Sequence, residues 1–102
     1  MDEEQRAIVL HARDNVATAL MGLEEGSTLS LKVGDRVMAV TLTRAVPFGH
    51  KFSLAEIERG GQVIKYGDVI GIATNAIHPG DYVHIHNVAS SRGGGQGTGG
   101  EV

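Results

Sequence analysis

Residues 60–72 read Gly-Gly-Gln-Val-Ile-Lys-Tyr-Gly-Asp-Val-Ile-Gly-Ile. Two apolar runs, Val63-Ile64 and Val69-Ile70-Gly71-Ile72, stand on either side of a turn-forming Tyr66-Gly67-Asp68. Each run is too short for a helix and rich in β-branched residues, so the stretch reads as two strands joined by a tight turn. Its punctuation recurs. Gly60 precedes Val63 by three residues and Gly67 precedes Ile70 by the same interval, as do Gly26 and Leu29, Gly34 and Val37, and Gly80 and Val83. A glycine free to adopt positive φ, followed at once by a core-facing aliphatic, is the signature of a turn feeding a short strand.

Working outward, the same grammar continues. Leu29, Leu31 and Val33 alternate with Ser30 and Lys32, and Met38, Val40 and Leu42 alternate with Ala39 and Thr41. Tyr82-Val83-His84-Ile85-His86 reads as a further strand, with Val83 and Ile85 expected in the core. Ala7–Leu10 reads as a short buried strand. One segment breaks the pattern. Val16, Ala17, Leu20, Met21 and Leu23 fall at helical spacing behind Asp14 and Asn15, both good N-caps, with Gly22 or Gly26 to end the helix. Ser53–Ile57 reads as a single helical turn capped by Ser53, with Glu56 completing a capping box. The expected fold is mostly β with one short helix, in which frequent turns favour a compact, irregular β domain over a flat sheet.

At 102 residues the chain fits one domain. Ser91–Val102 (SRGGGQGTGGEV) holds six of the fifteen glycines and no apolar residue before Val102, so the ordered domain is expected to span 1–90, with 91–102 a flexible Gly-rich tail. A folded part of this size carries one modest core but cannot wall in a substrate alone. Aromatic content is 4% with no Trp, so the core must be aliphatic. The net charge of −3 and the absence of any basic run argue against nucleic-acid binding. No cysteine is present, which excludes disulfides and thiolate metal sites. The acidic start MDEEQR does not read as a signal peptide and no apolar run reaches membrane-spanning length, so a cytoplasmic protein is expected.

The residues able to carry chemistry are few. His84 and His86 flank Ile85 and, in a strand, share one face beside Asn87, where two imidazoles could grip a divalent metal or a carboxylate. An exposed strand face that happens to carry two histidines is the plainer account, since a metal usually needs three or four protein ligands. His50 and Lys51, within Phe48-Gly49-His50-Lys51-Phe52, pair a titratable ring with a cation, although an ordinary loop pinned by two phenylalanines looks the same. Lys65 with Tyr66 could meet an anion, or simply end a hairpin. His11 lies beside Asp14 and Asn15, which capping would explain by itself, and His78-Pro79-Gly80-Asp81 is turn chemistry. Gly93–Gly100 has no strand-to-helix context and is not a nucleotide loop.

Together these segments resemble a known family. The stretch Pro47–Val88, with its GHKF, IKYG and HIHN elements in order, and the opening VLHARDNVATAL, Val9–Leu20, resemble the N-terminal SAF domain of altronate and galactarate dehydratases. The resemblance implies a β-clip fold of short, folded-over strands. It also implies a large catalytic subunit as partner, since in fused enzymes this domain precedes a much larger region. A separate small subunit is similar to those of altronate dehydratase and sulfolactate sulfo-lyase. The implied activity is hydro-lyase (dehydratase) elimination of water, or sulfite, from a sugar acid or related hydroxy acid, absent without the large subunit. A divalent metal such as iron is implied in the assembled enzyme. His50, His84 and His86 become candidates for metal or acid–base duty, and Lys51 and Lys65 for pairing with the carboxylate, so His50, Lys51 and Lys65 are expected as catalytic residues and His84 and His86 as metal ligands. Two other readings stand beside this one: a non-catalytic module binding carbohydrate or a partner, and a purely structural β domain.

Overall fold

A computed structural model describes residues 5–90, so the segment read as a tail, 91–102, lies outside the described residues. Among the described residues every regular element is a strand: β1 (Ala7–Ile8), β2 (Val16–Ala19), β3 (Thr28–Val33), β4 (Arg36–Thr41), β5 (Lys51–Ser53), β6 (Gln62–Lys65), β7 (Asp68–Ala73), β8 (Tyr82–Val83) and β9 (Val88–Ser90). They form an antiparallel sheet in the order β1-β2-β5-β8, a β3-β4 hairpin, and a sheet in the order β6-β7-β9. The mostly β fold of short strands is what the glycine punctuation and the resemblance both led one to expect. All five glycines of the recurring interval, together with Gly49, sit at positive φ.

The chain repeats itself. Leu23 and Val46 bridge by reciprocal backbone hydrogen bonds at the base of the β3-β4 hairpin, and Ile57 and Ile77 do the same at the base of β6-β7. Each bridge residue is followed three residues on by a positive-φ glycine: Gly26, Gly49, Gly60 and Gly80. The Gly49 amide donates to the Ala19 carbonyl as the Gly80 amide donates to that of Ser53. Two half-domains of one design are thus clipped together through the central sheet.

That sheet separates two cores. Ala17, Ala19, Leu29, Leu31, Leu42, Val46 and Phe52 belong to one, while Val16, Ile57, Val63, Ile77, Val83 and Val88 belong to the other. Successive side chains of a strand point to opposite faces, so β2 sends Val16 to one core and Ala17 and Ala19 to the other. This corrects the expected helix. A strand buried on both faces shows no polar alternation, and the apolar spacing from Val16 to Leu23 then imitates a helix. The presumed caps are occupied elsewhere: Asp14 Oδ1 accepts the Gly67 amide at 2.9 Å, and Asn15 Oδ1 accepts that of Ile64 at 2.8 Å. The Ser53–Ile57 helical turn is likewise absent. Ser53 is the last residue of β5, its hydroxyl bonds the Ala55 backbone, and Ile57 enters the bridge to Ile77.

Glu56, read as the second half of a capping box, instead accepts a hydrogen bond from His78 Nδ1 at 2.9 Å. This hydrogen bond and the adjacent carboxylate charge raise the His78 pKa above its ordinary 6.5. A raised folded-state value means that the pair's contribution to stability is complete below the unfolded pKa and is lost as pH rises through the folded one. Proton NMR titration of the His78 ring should give a midpoint above 6.5, which Glu56→Gln returns towards 6.5. An unchanged midpoint in the variant would show that the contact does not persist in solution.

Candidate functional site

β5 and β8 pair with Lys51 opposite Val83 and Phe52 opposite Tyr82, a register that sets His50 against His84. Opposed residues of an antiparallel pair share a face. The imidazoles of His50 and His84 accordingly lie with ring centres 4.9 Å apart. Tyr82 is the hub. Its hydroxyl is hydrogen-bonded to His50 Nδ1 at 2.7 Å, and its ring stacks on His84 at 5.6 Å and meets His86 at 5.5 Å. The guanidinium of Arg44 lies over the same ring, 5.1 Å from its centre. Three imidazoles, a phenol and a guanidinium therefore converge, drawn from three places in the sequence.

The expected strand from Tyr82 to His86 is shorter than predicted. β8 ends at Val83, and residues 84–87 form a turn. Asn87 is the reason: its side-chain oxygen accepts the His84 amide and its side-chain nitrogen donates to the Tyr82 carbonyl, each at 2.9 Å. A buried side chain that mimics the backbone in this way closes the turn. Ile85 consequently points to solvent, 60% exposed, whereas Val83 is fully buried. His84 and His86 each contact the Tyr82 ring instead of sharing one strand face.

The two lysines stand apart from this cluster. Lys51 is buried, and strand alternation puts it on the face opposite His50 and Phe52. Lys65 ends β6 opposite Asp68, with its Nζ 5.2 Å from the centre of the Tyr66 ring. The turn of residues 84–87 leads into Val88, which pairs with Ala73 at the other end of β7. Lys65 and the turn that carries His84 and His86 are thus held at opposite ends of β7.

Lys65 belongs instead with the opening motif. Arg13 Nη1 donates to the Gly67 carbonyl at 3.0 Å while Asp14 accepts the Gly67 amide, and the His11 ring packs over Gly67. His11 Nδ1 in turn accepts the Arg13 amide at 3.0 Å. These contacts clamp the β6-β7 turn to the chain before β2. They give His11 and Asp14 a structural task that neither helix capping nor a ligand had suggested.

Tyr82 and Arg44 were not among the sequence candidates. Tyr82 was legible, since it stands two residues before His84 in a strand pattern. Arg44 was not, because tertiary bonds from the neighbouring Thr43, its amide to the Gly80 carbonyl and its hydroxyl to the Asp81 carboxylate, bring it there. Arg44, Tyr82 and Pro47 also line a largely apolar groove of about 510 Å³ with Leu23 and Val46. A larger hollow of about 680 Å³ between β1 and β3 contains no imidazole and lies apart.

The groups gathered at Tyr82 are of the kinds able to bind an anion and to move a proton. Arg44 offers a permanent cation, and the Tyr82–His50 hydrogen bond couples a phenol to a titratable ring. Among the described residues no three His, Cys, Asp or Glu side chains stand close enough to hold a metal ion.

Comparison with known proteins gives this geometry a context. The family model of the altronate/galactarate dehydratase SAF domain matches residues 5–91. Altronate dehydratase of Escherichia coli is 46% identical over 84 residues, covering 82% of this chain but 16% of that protein. Galactarate dehydratase (L-threo-forming) of the same organism is 36% identical over 77 residues, 74% of this chain and 14% of that protein. By contrast, (2R)-sulfolactate sulfo-lyase subunit alpha of Chromohalobacter salexigens, 33% identical over 88 residues, is covered to 94% of its length, and the match takes in 82% of this chain.

Proposed function

Because the chain belongs to the altronate/galactarate dehydratase SAF domain family, we propose that it is the small subunit of a cytoplasmic lyase that eliminates water, or sulfite, from a sugar acid or related hydroxy acid. The observation that carries this reading is the Tyr82 cluster, formed by the family's GHKF and HIHN elements. The subunit role is supported by a relative that is itself named a subunit and is matched over 94% of its length.

Elimination next to a carboxylate needs a cation for the carboxylate, a base for the α-proton, and an acid for the departing group. Arg44 serves the first need. In the tautomer whose Nδ1–H donates to the Tyr82 oxygen, His50 Nε2 is the unprotonated nitrogen that takes up the α-proton. His84 packs against both rings and holds them in place. Loss of the α-proton and of hydroxide leaves an enol, which becomes the 2-keto acid. A divalent metal in the assembled enzyme would polarise the leaving group, with His84 and His86 contributed from this chain and the remaining ligands from the partner.

The test is reconstitution. The purified chain is assayed with altronate, galactarate and sulfolactate, alone and mixed with the polypeptide from the same genome that matches the uncovered length of altronate dehydratase. Turnover at least ~100-fold above either component alone is expected, since positioned acid–base groups supply about that factor. Equal turnover by the isolated chain would refute the subunit role. A pair that forms but acts on none of the three acids would refute the lyase reading and favour a binding module.

A further inference from the structure

We propose that the face ringed by Phe48, Ile85, Met21 and Leu20 is the surface on which the large catalytic polypeptide docks, closing over the Tyr82 cluster. The inference rests on the functional reading above and adds where the partner sits. Six large hydrophobic residues are exposed among the described residues, and these four adjoin the cluster in sequence or through the backbone bonds of Ala19. Phe48 is 69% exposed and two residues from His50, and Ile85 lies between His84 and His86. Leu20 and Met21 follow Ala19, whose amide and carbonyl bond the His50 carbonyl and the Gly49 amide. The groove lined by Arg44 and Tyr82 lies alongside, bounded by Gly22 after Met21 and by Pro47 before Phe48.

Phe48 and Ile85 cannot fold back to hide their surface. The Phe48 turn is closed by the bond from the His50 amide to the Pro47 carbonyl, and Gly49 within it holds φ at 84°. The Ile85 turn is closed by Asn87 and by two amides donated to the His84 carbonyl. Apolar side chains held outward on rigid turns, with titratable groups between them, are what a protein interface presents at its core. The length argument fixes the occupant. In altronate dehydratase 16% of the chain corresponds to this domain, and the remainder must meet it somewhere; a substrate held at Arg44 and Tyr82 would otherwise lie open to water.

The experiment measures binding of the full chain to the same large polypeptide by calorimetry, comparing wild type with Phe48→Asp, Ile85→Asp and Val37→Asp. Val37 is 67% exposed but lies near the Gly34 turn of the β3-β4 hairpin, away from the cluster, and serves as the control. Phe48→Asp and Ile85→Asp should each weaken binding at least ~30-fold, as central interface anchors do, with melting temperatures unchanged. Val37→Asp should bind as wild type. If wild type binds and the first two variants bind equally well, this face is not the interface, while the functional reading stands. A wild-type chain that does not bind overturns both. A chain that dimerises alone and becomes monomeric with Phe48→Asp would assign the face to a second copy instead.

Discussion

Gly80→Ala should destabilise the domain by about 4 kcal/mol, whereas Gly60→Ala should cost only about 1 kcal/mol. Both glycines have a φ of 89°, so the left-handed backbone penalty is common to the pair. They differ in what a methyl group would meet. At Gly60 nothing lies within 4 Å, but at Gly80 the new carbon would fall on the Thr41 carbonyl oxygen and press on the Leu42 backbone. Thr41 cannot yield cheaply. The next amides along the chain are committed, Leu42 to the Ser27 carbonyl and Thr43 to that of Gly80 itself, while the Gly80 amide holds Ser53. Relief of the clash would open the clip between the half-domains. In a domain of this size each kcal/mol moves the melting temperature by ~4–8 °C, so a loss of roughly 15–30 °C is expected at residue 80. Calorimetric melting of both variants checks it. Equal shifts would mean that the close approach of residue 80 to Thr41 is not maintained in solution.

The same glycines show why so much of the fold was legible. A turn that requires positive φ leaves a mark at one position, and the aliphatic three residues later marks the strand it feeds; both signals are local. Two of the three misread segments fail for related reasons. Val16–Ala19 is buried on both faces, so its sequence lacks the alternation that identifies a strand. Tyr82–His86 has the alternation, yet Asn87 ends the strand at Val83 through hydrogen bonds that no period reveals. The site was half legible in the same sense. His50, His84 and His86 were visible as residue types, and Tyr82 by its spacing from His84. The separation of Lys65 depends on the β6-β7-β9 register and the arrival of Arg44 on the Thr43–Gly80 contact, both of which are tertiary.

The cluster's own test separates chemistry from packing. His50→Gln in the assembled enzyme should lower kcat/KM by about 100-fold, the scale on which acid–base groups act. Glutamine retains a polar group within reach of the Tyr82 hydroxyl but cannot take up a proton. The fold should therefore lose no more than about 1 kcal/mol, the worth of one hydrogen bond. Tyr82→Phe keeps the ring on which His84, His86 and Arg44 all pack and removes only the hydroxyl bonded to His50 Nδ1. It should cost ~10-fold, because the His50 ring then lacks the phenol that orients it. His84→Gln and His86→Gln should each cost at least ~10-fold, with His84 the more damaging because its ring meets both His50 and Tyr82. A purely structural cluster would give the opposite order of effects: melting temperatures would fall while kcat/KM and the pH profile stayed as in wild type. That result would leave Arg44 and its apolar groove as the chain's contribution, and would shift every proton transfer to the partner.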